Sequence, residues 1–92
     1  MKDINELMQE ALTADRLRLE DEIEDLEEEI AIIENLFIAC NIYSLRHAAP
    51  DVLRRCGDND QLLQRRKEKL ADKLESKRKD LEHIMQRLEE YS

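Results

Sequence analysis

Residues 30–45 read IAIIENLFIACNIYSL, and twelve of these sixteen residues are apolar. Glu34, Asn35, Asn41 and Ser44 are the only interruptions. The rest of the chain is heavily charged, so this stretch cannot stand alone in water. It has to be covered on more than one side, and whatever covers it sets the architecture.

The surrounding composition narrows the choice. Ninety-two residues suit one small domain with a limited core, and chains of that size often add a second copy of themselves. Charged residues make up 41% and aromatic residues 3%, with a single Gly and a single Pro. That profile belongs to long helices or coiled coils. High charge also describes disorder, but here the apolar residues are periodic, which argues for a folded chain.

The chain opens with Ile4, Leu7, Met8, Ala11 and Leu12 at helical spacing. Asp3 can cap this helix, with Glu6 three residues on to complete a capping box. Thr13 is a second candidate cap, so a break near residues 13–15 is the alternative to one continuous helix over 3–47. From Leu12 onward the pattern is a heptad. Leu12, Leu19, Leu26, Ile33 and Cys40 form one line, and Ile23, Ile30 and Phe37 form the other. Pro50 disfavours helical geometry in the residue before it and suits the first turn of a new helix. A short corner helix over 50–56 is therefore expected, closed by a left-handed cap at Gly57. Asp58 would then start a last helix over 59–91. In that helix Leu74, Leu81 and Leu88 make one line and Leu63, Leu70, Ile84 and Tyr91 the other, with Lys67 and Lys77 as polar intruders.

The predicted fold is all-α: one helical domain over 1–92, an antiparallel coiled-coil-like hairpin with a short corner helix. A lone hairpin does not balance. Opposite residues 30–45, the returning helix offers only Leu62, Leu63, Leu70, Ala71 and Leu74, with Val52 and Leu53 from the corner. Each large apolar side chain left wet forfeits roughly 1.5–3 kcal/mol. The simplest cover is a second copy related by a two-fold axis. The expected assembly is a homodimeric bundle, with Ile30, Ile32, Leu36, Ile38, Ile42 and Tyr43 in the interface.

Charge is divided along the chain. Residues 1–45 hold thirteen acids and three bases, and residues 46–92 hold ten acids and twelve bases. The two halves are therefore expected to pack together. A net charge of −8 argues against direct nucleic-acid binding, which needs a clustered positive surface. The polar start, MKDINELMQE, lacks the apolar run of a signal peptide. Residues 30–45 are too short and too interrupted to span a membrane. The expected setting is the cytoplasm, with Cys40 and Cys56 reduced.

Chemistry is sparse. Cys40 and His47 stand seven residues apart, about 10 Å along a helix, too far to share one ion, so no metal or cofactor is expected. Cys56 beside His47 is a conceivable nucleophile, with Arg54 and Arg55 to lower the thiol pKa. Nothing in the pattern orients that histidine or supplies an oxyanion site, so the chain is not expected to be an enzyme. Two candidate partner surfaces remain. One is the acidic ridge of Glu20, Asp21, Glu24, Asp25, Glu27 and Glu28. The other is the basic corner of Arg46, His47, Arg54 and Arg55. Both point to a module that binds another protein, one with a basic surface in the case of the ridge. In size and charge the chain also looks like phage-encoded anti-CRISPR and anti-restriction proteins. That resemblance implies an acidic inhibitor occupying a basic groove on a nucleic-acid-handling complex.

Overall fold

Two helices account for the fold. The computed structural model describes residues 2–46 and 49–91, with the backbone alone at 44, 45 and 52. Helix α1 runs over Ile4–Arg46 and helix α2 over Pro50–Glu89. They pack against each other along their length in a rod with extents of 71 × 16 × 15 Å.

The start of α1 follows from its cap. The Glu6 amide donates to Asp3 Oδ1 at 2.8 Å, satisfying one of the donors left open in a first turn. Helix α1 has no break at 13–15. The Thr13 hydroxyl donates back to the Gln9 carbonyl at 2.8 Å, the bond a threonine makes inside a helix rather than at its cap.

At the corner, Ala49 is extended (φ −66°, ψ 140°), as the residue before a proline prefers, and Pro50 occupies the first turn of α2. The expected short helix over 50–56 and the fresh start at Asp58 are not present; α2 is one helix of 40 residues. Among the described residues no glycine has positive φ, so Gly57 continues the helix instead of capping it. The reason is the seam. Cys56, Asp60, Leu63, Lys67, Leu70 and Leu74 step by three and four straight through Gly57, and each is buried or half-buried. A break at 57 would turn Cys56 away from α1. Keeping glycine in a helix interior costs about 1 kcal/mol relative to alanine, less than losing a buried contact.

Leu12, Leu19 and Ile33 of α1 and Cys56, Leu70 and Leu74 of α2 form the buried core among the described residues. Leu26, Ile30, Phe37, Leu81, Ile84 and Leu88 extend it half-buried. The register is antiparallel along the whole rod. Cys40 lies beside Cys56, Glu22 beside Lys77, and the Tyr91 hydroxyl reaches Met8 Sδ at 3.6 Å. The acids of α1 therefore face the bases of α2.

Candidate interaction surfaces

Helical geometry sorts the expected interface residues onto different sides of α1. At 100° per residue, Ile32, Leu36, Ala39 and Tyr43 share one flank, Ile38 lies on the opposite flank, and Ile42 faces directly away from α2. Ile30 belongs to the hairpin's own seam, where it is half-buried. A single flat interface thus does not take up all six. Ile32, Leu36, Tyr43 and, across the groove, Leu62 of α2 are 59%, 48%, 52% and 62% exposed. Leu36 and Ala39 line this groove with Leu62, Leu63 and Asn59. On the other side Asp60, Gln61, Gln64 and Arg65 surround Phe37, and Ile38 is exposed. The larger group of exposed apolar side chains therefore lies on the flank of Leu36 and Leu62, near the corner. Leu62 was the part not anticipated as exposed, because it stands one position off the seam defined by Leu63.

The acidic ridge also divides. Glu20 accepts from Arg16 Nε at 2.9 Å, and Glu27 accepts from Arg78 of α2 at 2.9 Å. Asp21, Glu24 and Glu28 step along the outer side of α1, and all three are exposed. Asp25 turns toward the apolar flank. Among the described residues, no cation lies within 4.0 Å of these last four carboxylates. They form the open part of the ridge.

At the corner, Arg46 ends α1, and Arg54 and Arg55 are exposed in the first turns of α2. His47 lies outside the described residues. Arg55 lines a recess with Cys40, Tyr43, Cys56 and Asn59. Each thiol of the cysteine pair stands 3.9 Å from the other's backbone carbonyl oxygen, so the two side chains cross between the helices. Both are free. The Cys40 thiol is pushed up to about 11, first by its hydrogen bond with the Cys56 thiol and then by partial burial. That disfavours thiolate, the opposite of what a nucleophile or a metal ligand needs. Among the described residues no group of three or more His, Cys, Asp or Glu side chains converges as a metal site would. Nor is any described helix long and apolar enough to cross a membrane.

The two lysines in the α2 seam have acidic partners on α1. Lys67 Nζ is 3.2 Å from Glu34, and Lys77 Nζ is 2.7 Å from Glu22. The ammonium of Lys77 holds the Glu22 carboxyl below the usual carboxylate range, mainly through that hydrogen bond. Both stems lie over the seam while the charged ends reach its edge. Compared with family models, with curated proteins and with solved structures, the chain matches none.

Proposed function

We propose that this chain is a non-catalytic protein–protein interaction module. It pairs with a second copy through the flank carrying Ile32, Leu36, Tyr43 and Leu62, and it holds a basic protein partner on the acidic outer side of α1. The observation behind this reading is the cluster of exposed apolar side chains that both helices contribute to one flank near the corner. Four large side chains are exposed together there, against Ile38 on the other flank. Each of the four is about half exposed, so covering it recovers roughly 1–1.5 kcal/mol, against the ~5–15 kcal/mol that separates a folded domain from its unfolded chain. Exposed patches of this kind mark interaction sites.

The partner site is the line of Asp21, Glu24 and Glu28 on the outer side of α1. Unpaired acids raise the encounter rate with a basic partner. Arg46, Arg54 and Arg55 offer a second, basic contact at the corner. In this reading the module works in a reducing cytoplasm and needs no cofactor.

A second reading has one observation in its favour. The three open acids repeat along the rod at about 4.5–6 Å, a regular row of negative charge that can imitate a phosphate backbone. The chain would then be a small inhibitor of the anti-CRISPR or anti-restriction kind, occupying a basic groove.

Light scattering at micromolar concentration tests the pairing. The expected mass is twice that of the 11.0 kDa chain, and Leu36→Glu should return it to one copy. A monomeric wild type overturns the pairing. Charge reversal (D21K/E24K/E28K) should abolish capture of the partner from host extract, and retained capture overturns the acidic site. Displacement of that partner by duplex DNA or heparin selects the inhibitor reading, and resistance to both selects the module.

A further inference from the structure

The apolar flank does not stop at Leu36. Continued in steps of three and four toward the open end of the rod, it runs on α1 through Glu29 and Asp25. On α2 it runs from Leu62 through Arg66 to Lys69 and Lys73. All of these side chains are exposed except for a loose contact, at 4.0 Å, between Arg66 and Glu29. Among the described residues, Asp25 has no cation within 4.0 Å, and Lys69 and Lys73 have no carboxylate. One flank thus carries an apolar patch at the corner, an acidic row on one helix and a basic row on the other. The two rows lie side by side and largely unpaired.

From this we infer that the second copy docks in parallel, with its two-fold axis along the rod and both corners at the same end. The inference rests on the dimer reading above and adds its geometry. Rotation about that axis lays α1 of each copy on α2 of the other. The antiparallel register then brings Leu36 level with Leu62 of the partner subunit. It also brings Glu29 level with Lys69 of the partner subunit and Asp25 level with Lys73 of the partner subunit, and two-fold symmetry repeats each pair. The unpaired rows of one hairpin become the counter-charges of the other, and the apolar patches meet at the same time.

The competing arrangement turns the second copy about an axis across the rod, so that α1 meets α1 and α2 meets α2. For the patches to meet, only the corner ends overlap. Arg55 then comes level with Arg66 of the partner subunit, a like-charge contact that Glu29 against Arg46 only partly offsets. Lys73 passes beyond the partner's corner and finds nothing. Area points the same way. A stable interface takes about 800 Å² per partner, and the full 71 × 16 Å flank offers roughly 1,100 Å², whereas a corner overlap offers about half of that.

Two charge-reversed chains provide the test, one D25K/E29K and the other K69E/K73E. In the parallel dimer each reversed chain meets only like charge in its own copy, so dissociation should rise by about tenfold or more for each alone. Mixed one to one, each reversed helix finds its complement in the other chain, and native mass spectrometry should show the heterodimer. The chain with all four reversals should dimerise by itself. Circular dichroism of each variant checks that the hairpin is retained. If a reversal unfolds it, a nitroxide on Gln86→Cys in a C40A/C56A background gives the answer without any charge change. The parallel dimer puts the two labels within about 20–40 Å of each other, a few helix diameters. The crossed arrangement separates them by more than the 71 Å length of one rod. A dimeric wild type whose reversed chains dimerise unimpaired, or do not recombine on mixing, overturns the parallel geometry and leaves pairing intact. So does a dimer with no short label distance. A monomeric wild type overturns the pairing itself.

Discussion

At the scale of single residues, the rod is tuned where its two helices touch. Cys40 and Cys56 cross between the helices, and each sets the other's environment. With the Cys40 thiol near 11 rather than the ordinary 9.0, its thiolate fraction at pH 8 falls about a hundredfold. Iodoacetamide should therefore modify Cys40 about tenfold more slowly than a free thiol, because the greater nucleophilicity of a more basic thiolate offsets part of the loss, and Cys56→Ala should restore much of the rate. Mass spectrometry of timed samples measures both. Glu22 is displaced in the other sense, because the Lys77 ammonium favours its charged form. A carboxylate with a folded pKa below its unfolded one stabilises the fold above the unfolded value, and the contribution is lost as pH falls through the folded one. Lys77→Met should bring the Glu22 titration, followed by carbon NMR, back toward 4.5 and remove that part of the acid dependence. An unmoved titration would mean that Lys77 is not its partner in solution.

At the scale of elements, the helical character, the Asp3 cap and the Pro50 corner were all legible in the sequence, because each depends on residues within one turn. The break expected at Gly57 was not. Pro50, Gly57 and Asp58 are local stop and start signals, and read locally they define a short helix. What overrode them is non-local: the seam of Cys56, Asp60 and Leu63 needs α1 opposite it, and that partner is not visible from the sequence around 57. The cysteine pair was illegible for the same reason, since residues sixteen apart meet only once the corner angle is known. Leu62 was hidden by the strength of Leu63 beside it. Gly57 itself yields a prediction. Its backbone is not left-handed, and a Cβ placed there meets nothing within 4 Å. Gly57→Ala should therefore stabilise the fold by about 0.5–1 kcal/mol in urea denaturation, through helix propensity and a less entropic unfolded chain. If the helix did break at this glycine, the same substitution would destabilise.

At the scale of the whole molecule, two helices give a core one layer thick. Even the best-covered side chains, Leu19 and Ile33, keep 3% and 4% of their surface in water, and no described side chain is fully enclosed. The ion pairs that cross from α1 to α2 select the antiparallel register, but exposed pairs contribute only about 0–1 kcal/mol each. A hairpin so built draws little stability from its own interior, and in the proposed dimer a second copy covering Leu36 and Leu62 would double the layers over its most apolar third. Folding and pairing should then be linked by mass action. The melting midpoint of the wild type should climb by several degrees as concentration rises over about a hundredfold range. Leu36→Glu, which places a charge in the shared layer while leaving the seam untouched, should melt lower and at the same temperature at every concentration. Scanning calorimetry across the dilution series reads both effects. A wild-type midpoint indifferent to concentration would show that the hairpin is self-sufficient, and that its wet apolar flank serves some other occupant than its own kind.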